Sequence, residues 1–271
     1  MMVDEKKVVN LFTELVEIDS LSLKEREMAD RLKEELKLLG FEVIEDETAS
    51  KIDGNCGNLI AKLKGDPEMP SVLLSAHMDR VEPGEGIETK IEDGYIYSKG
   101  ETVLAGDDII GVVSILEAVK AVKKQNPSHP TIIVIFSVAE EIGLLGARNL
   151  DNKFINEIDF GFVIDVDGPV GSVVNQAPGQ KKFNVVIKGK ASHAGMAPEK
   201  GVNAIKIASH AISEMNLGKV DKETTANIGV IRGGVASNIV PDLVELEGEV
   251  RSHNQKKLLS QIAEMKEIVL K

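Results

Sequence analysis

The stretch Val72-Leu73-Leu74-Ser75-Ala76-His77-Met78-Asp79 is an apolar run that closes on an imidazole and, two residues later, a carboxylate, before a loop rich in Gly, Pro and Glu. Such a run reads as a buried strand, and His-x-Asp at its end presents the imidazole at a sheet edge with an acid close enough to orient it. That is the pattern of a metal ligand and its hydrogen-bond partner. Taken alone, the pair is more simply incidental, because His and Asp often fall two apart at strand ends. The acids downstream decide the reading.

Upstream, residues 5–18 place Val8, Val9, Leu11, Phe12, Leu15 and Val16 on one helical face. Ser22 followed by Glu25 forms a capping box that opens a second helix, with Met28, Leu32, Leu36 and Leu39 inward and Gly40 as its stop. Residues 41–44, 58–63 and 71–75 read as strands. Downstream, residues 82–99 are polar and turn back at Glu92-Asp93-Gly94. Gly106-Asp107-Asp108 precedes a largely buried helix from Ile109 that ends at Asn126-Pro127. One Asp suffices to cap that helix, which leaves the other free to act as a ligand.

The β-branched run Thr131 to Phe136 reads as a central strand buried on both faces, and it leads into Ala139-Glu140-Glu141-Ile142-Gly143. Adjacent carboxylates at the end of a buried strand repel each other and lose solvation, which a bound cation offsets. The plainer alternative is two acids exposed in a loop. Another buried strand, Phe160 to Ile164, ends in Asp165-Val166-Asp167-Gly168. Four junctions thus carry His77/Asp79, Asp107/Asp108, Glu140/Glu141 and Asp165/Asp167. Interleaved helices imply a largely parallel sheet, whose ligands sit outside the carboxyl ends of the strands, so all four clusters converge on one edge.

One imidazole with several carboxylates and no sulfur suits zinc, manganese or cobalt at a hydrolytic site better than calcium. There are too many acids for one tetrahedral ion. Two ions sharing a carboxylate, ~3.5–4 Å apart, would use them and activate water for attack on a carbonyl. One acid must stay unligated as general base, and Glu140 beside a ligand is suitably placed.

The bulk composition agrees. The 271 residues allow roughly two domains, and 42% hydrophobic content fills a core. A formal net charge of -12 argues against nucleic acid or an anionic membrane as partner. The absence of Trp, with only 3% aromatics, leaves no stacking platform for single strands. Cys56 is the only cysteine, which excludes an internal disulfide and a thiolate metal cluster and fits a reducing cytoplasm. The segment Met1-Met2-Val3-Asp4-Glu5-Lys6-Lys7 lacks the apolar core of a signal peptide, and no run approaches the ~18 residues of a membrane span.

His77-Met78-Asp79, Gly106-Asp107-Asp108, Glu140-Glu141-Ile142-Gly143 and Asp167-Gly168, in this order and spacing, resemble the dizinc exopeptidases that include peptidase T, glutamate carboxypeptidase and succinyl-diaminopimelate desuccinylase. The resemblance implies an α/β fold: a mostly parallel-sheet catalytic domain with flanking helices over residues 1–178, and a smaller α+β lid or dimerisation domain over 179–271. It implies His77 and Asp167 on one zinc, Glu141 on the other, Asp107 bridging, Asp79 orienting His77, and Glu140 as the base. Asp165 competes with Asp167, which is preferred because it precedes the glycine as in the family's pattern.

The β-α-β-β-α order after residue 180 resembles the family's lid. There Ser192-His193-Ala194-Gly195 implies His193 as the residue that holds the reacting carbonyl, with Asn238 and Arg251 as substrate-binding residues. The resemblance implies hydrolysis of short peptides, nearest to the aminotripeptidase type, by a chain that pairs into a homodimer through the lid. Alternatives are a deacylase, amidohydrolase or carboxypeptidase of the same family, or an inactive metal-binding or dimerising remnant. Family members continue beyond the point matching Lys271 with a last lid strand, a return to the catalytic domain and a final histidine for the second zinc. His129, His210 and His253 match no such motif. The expectation is therefore a fragment, a chain that has lost activity, or a second zinc with fewer ligands.

Overall fold

The structure, a computed structural model, describes residues 3–125 and 128–271. In chain order its elements are α1 (Glu5–Val16), α2 (Arg26–Leu38), β1 (Glu42–Glu45), α3 (Thr48–Ile52), β2 (Leu59–Leu63), β3 (Val72–His77), β4 (Thr89–Glu92), β5 (Tyr95–Ser98), α4 (Gly106–Gln125), β6 (Ile132–Ser137), α5 (Leu145–Asn149), β7 (Phe160–Val163), β8 (Gly179–Lys188), α6 (Ala204–Glu214), β9 (Gly218–Lys219), β10 (Thr224–Gly233), β11 (Leu243–Ser252) and α7 (Gln255–Leu270). They form two compact units, Met1–Val170 and Gly171–Lys271. The division falls a few residues ahead of the 178/179 junction expected from the sequence. The Asn126-Pro127 stop lies outside the described residues.

In the first unit a five-stranded sheet runs β1-β2-β6-β3-β7. β3 pairs in parallel with β6 and β7, while β1-β2 and β2-β6 are antiparallel. The α/β class holds, and parallel pairing is confined to the three strands that carry the chemistry. The antiparallel half arises because β1 and β2 are joined by a short connection with a single helical turn, too short for a crossover helix.

β6 is buried on both faces, as its β-branched run requires: Ile132, Val134 and Phe136 enter the main core, and Ile133 and Ile135 the opposite layer with Ile60. That main core joins Leu11, Leu15 and Val16 of α1, Leu32 and Leu36 of α2, and Val112, Ile115 and Leu116 of α4. Each such side chain, fully buried, contributes roughly 1.5–3 kcal/mol. Asp107 and Asp108 are non-helical at the start of α4, so regular helix begins at Ile109. Gly111 is required there, because a Cβ would meet Asp108 Oδ1 at 2.2 Å and the Ile164 carbonyl at 2.4 Å.

The Ser22–Glu25 capping box does not form. The Ser22 hydroxyl donates to Asp79, and Glu25, at the N-cap of α2, makes no side-chain capping bond. Both side chains instead turn towards the end of β3 and the loop after β6, where buried donors and charges outcompete local capping. The polar hairpin is present as β4 and β5, turning at Asp93-Gly94.

The second unit is an antiparallel sheet ordered β8-β11-β10-β9, with α6 and α7 packed against its strands. Ile187, Ala204, Ala208, Val244 and Leu246 form one cluster, and Ala226, Val250, Leu258 and Met265 contribute to another. Asn203 caps α6 and Asn254 caps α7 through their side-chain oxygens.

Candidate metal centre

His77 is the last residue of β3 and is buried. Its Nδ1 lies 3.0 Å from the Asp79 carbonyl and 3.3 Å from Asp79 Oδ1, and its Nε2 lies 3.1 Å from Asp107 Oδ1. Burial works against the imidazolium, but the hydrogen bond and charge of Asp79, backed by Asp108 and Asp107, outweigh it and push His77 up to about 10. Asp79 is fully buried. Its Oδ1 accepts from Glu140 N at 2.9 Å, and its Oδ2 accepts from Ser22 Oγ at 2.7 Å and Glu141 N at 3.2 Å. Burial would raise this carboxyl; His77, Ser22 and the Glu140 amide hold it below its ordinary value.

Asp79 therefore does two things: it aims the imidazole and fixes the backbone of the acidic pair. The loop is clamped further back too. Val138 N donates to Asn58 Oδ1 at 3.1 Å, and Ala139 N to Glu25 Oε1 at 2.9 Å. Four consecutive amides, 138 to 141, thus end on three buried side chains from three different segments. Gly146 closes the loop, its carbonyl accepting from Asn58 Nδ2 at 3.0 Å; a Cβ there would meet the Val138 carbonyl at 2.2 Å.

Two groups of candidate ligands result. Ligand atoms of His77, Asp107 and Glu141 lie within 4.8 Å of one another, as do those of His77, Glu140 and Asp165. The carboxyls of Glu140, Glu141 and Asp165 are all raised, by burial first and then by mutual repulsion, and His77 is the one cation that opposes the shift. Asp108 is buried beneath them, accepts from His77 N at 3.2 Å, and is pushed up to about 7 by burial. Four carboxylates around one imidazole, without an ion pair to Lys or Arg among the described residues, form a self-repelling set that divalent cations neutralise. The donor set fits oxygen- and nitrogen-liganded metal ions of the hydrolytic type.

The sequence-predicted residues His77, Asp79, Asp107, Glu140 and Glu141 are brought together. Asp167 belongs to neither group, whereas Asp165 belongs to one. The register explains this: Val163 pairs with Ser75, so Asp165, two residues on, comes level with His77. Sequence reasoning missed Glu25, Asn58 and Arg80 in this neighbourhood. Glu25 had a signal, misread as a capping box; Asn58 and Arg80 showed none beyond their places at the ends of strand runs.

In the second unit, His193 bridges Ile239, and Ala194 N donates to the Asn238 carbonyl at 2.9 Å, so His193 and Asn238 share one loop pair. His193 Nδ1 accepts from Gly195 N at 3.2 Å and Met196 N at 3.1 Å, which assigns the proton to Nε2. Arg251 lies near the other end of β11, opposite Gln180, with its Nε donating to Glu249 at 2.7 Å. The unit does not bring it to His193.

A pocket of about 380 Å³ lies outside this centre; Glu42, Glu157 and Asp159 line it beside Lys62 and Lys153, and none of these acids belongs to either candidate ligand group. Fold and site together define a metal-dependent hydrolase whose centre sits at the carboxyl ends of parallel strands. The model of peptidase family M28 matches residues 58–210, and that of a peptidase dimerisation domain matches residues 175–271. The chain belongs to this family of metal-dependent exopeptidases, of the peptidase T-like kind.

Among solved structures, it is similar to aminopeptidase PepT from Bacillus cereus, with 44% identity, a TM-score of 0.93, and 99% of this chain and 72% of that one covered. A tripeptidase from Staphylococcus aureus gives 41% identity and a TM-score of 0.95, with the same coverage of both chains. Carboxypeptidase G2 of a Pseudomonas species is 33% identical over 227 residues, which are 81% of this chain and 53% of that protein. The chain thus spans about half of that relative's length.

Proposed function

We propose that this centre removes the amino-terminal residue of short peptides, tripeptides foremost, with two zinc ions held by His77, Asp107, Glu141 and Asp165. The observation that carries the reading is the convergence of both candidate ligand groups on the one imidazole of His77. When bound, the ions supply polarisation of the scissile carbonyl and acidification of water. Asp107, exposed and 3.1 Å from His77 Nε2, is the acid suited to bridge. Asp79 keeps His77 Nδ1 engaged so that Nε2 faces the cluster.

Glu140 takes the proton of the attacking water and delivers it to the leaving amine. Its carboxyl is raised by burial, with the charge of His77 opposing and Asp165, Asp79 and Asp107 adding to the shift. His193, with its proton on Nε2, is a donor suited to the developing oxyanion, with Asn238 on the same loop pair; Arg251, near the other end of β11, is proposed as a substrate-binding residue on the family resemblance alone. The match to a peptidase dimerisation domain supports a homodimer formed through the second unit. No described helix is long and apolar enough to cross a membrane; the cytoplasm is the proposed location.

Zinc-dependent hydrolysis of a tripeptide tests the reading. Glu140→Gln should lower kcat by about 10²–10⁴ with zinc retained. Loss of zinc in that variant would show that Glu140 is a ligand and not the base. The carboxypeptidase G2 relative favours a second reading, cleavage at an acyl or carboxy-terminal amide. A free tripeptide compared with its N-acetylated form separates the two, because only the aminopeptidase requires the free amine.

A further inference from the structure

Glu25 is fully buried, and its Oε1 accepts two backbone hydrogen bonds, from Leu23 N at 3.0 Å and from Ala139 N at 2.9 Å. The helix it precedes gains no side-chain cap from it. A buried carboxylate that does nothing for its own helix, and leaves Oε2 without a partner, needs a reason elsewhere in the fold. The reason lies in the two amides. Leu23 has φ 72° and Ala139 has φ 50°, both in the left-handed region that disfavours a Cβ. Each such turn costs roughly 1–3 kcal/mol and persists only when its surroundings fix it.

Ala139 is the residue from which Glu140 and Glu141 depart. Were its amide released, φ would relax to negative values and the next two side chains would swing with the chain. Asp79 holds the amides of Glu140 and Glu141, and Asn58 that of Val138; the Ala139 carbonyl accepts from Leu145 N at 2.9 Å, and Glu25 holds the Ala139 amide, on the other side of the strained residue. Burial pushes the Glu25 carboxyl up to about 7, against the two amides that favour its charged form.

We infer that Glu25 is a positioning residue of the active site: by joining the Leu23 and Ala139 amides through one oxygen, it sets the backbone from which Glu140 and Glu141 reach the metal-binding cluster. The inference rests on the roles proposed above for that pair.

The test compares Glu25→Gln, Glu25→Asp and Glu25→Ala with the parent chain. Three readouts are used: hydrogen exchange at the 139–141 amides, zinc affinity by competition with a chelator, and kcat and KM on a tripeptide. Gln keeps an oxygen at the same reach and should stay within about 3-fold on every readout. Asp, one methylene short, and Ala should weaken zinc binding and lower kcat by about 10–100-fold, with KM little changed and faster exchange at residues 139–141. If Ala does not fold, the comparison of Asp with Gln decides. Parent-like exchange and zinc affinity in Asp, or a Gln variant that falls as far as Asp, would overturn the inference. Should the parent chain neither bind zinc nor cleave peptide, the proposed function falls, while the exchange comparison still decides whether Glu25 fixes the loop.

Discussion

Asp165 and Asp167 differ by two positions on one strand end, and in the proposed centre that difference separates a ligand from a bystander. Asp165→Asn should lower retained zinc, and Asp167→Asn should leave it unchanged; metal analysis of the two purified variants checks this, and the reverse pattern would restore Asp167. The glycine after Asp167 favours Asp167 in the sequence, whereas the register of β7 against β3 favours Asp165, and only strand pairing says where β7 stops relative to His77. Glu25 sets a second expectation at this scale. Its carboxyl is raised from 4.5 to about 7 by burial, so its contribution to stability is full below about pH 4.5 and is lost as pH rises through about 7. The loss is about 3 kcal/mol at most. Asp108 acts in the same direction, and His77, up to about 10, loses its contribution only at higher pH. The difference between the parent and Glu25→Gln isolates Glu25: the thermal midpoint of the metal-free parent should fall between about pH 5 and 8, and that of the variant should fall less. Parallel curves would contradict the burial of a titrating group there.

At the scale of elements, the site is a junction between the end of β3, the loop after β6 and the end of α1. Arg80 makes the last of these connections. Buried directly after Asp79, it donates to the carbonyls of Val16 at 2.7 Å and Ile18 at 2.6 Å, and to Ser20 Oγ at 3.1 Å. No carboxylate pairs with it among the described residues, and burial brings it down to about 10, still charged at neutral pH. Its charge is met by the carbonyl end of α1, where the helix dipole is negative. Arg80→Met would strip those carbonyls of partners, for a loss of about 3–5 kcal/mol and a thermal midpoint lower by roughly 10 °C. A shift under about 2 °C would show that water replaces the guanidinium without penalty. Helices and strands themselves were legible, because periods of 3.6 and 2 follow from which faces are buried. The clamps were not: Asn58, Glu25 and Asp79 meet the loop at residues 138–141 across separations of up to 114 residues, and no local pattern records such bonds.

At the scale of the whole molecule, each of the two units has a hydrophobic core of its own, one centred on the β6 strand and α4, the other on β8, β11, α6 and α7. Residues 171–271 expressed alone should therefore unfold cooperatively with heat, as followed by circular dichroism; a broad, non-cooperative trace would show that this core depends on the first unit. The order of the four acidic motifs was readable because parallel strands deliver their carboxyl ends to one edge, and β3, β6 and β7 are the strands that do so. The antiparallel β1 and β2 carry no motif and left no such trace. The central claim is that His77, Asp107, Glu141 and Asp165 form a metal centre. Its most direct test is the zinc retained per chain by the purified 271-residue protein after dialysis, beside Asp107→Ala. About two equivalents, falling below one in the variant, are predicted; no retained zinc, or zinc that Asp107→Ala leaves untouched, would contradict the account.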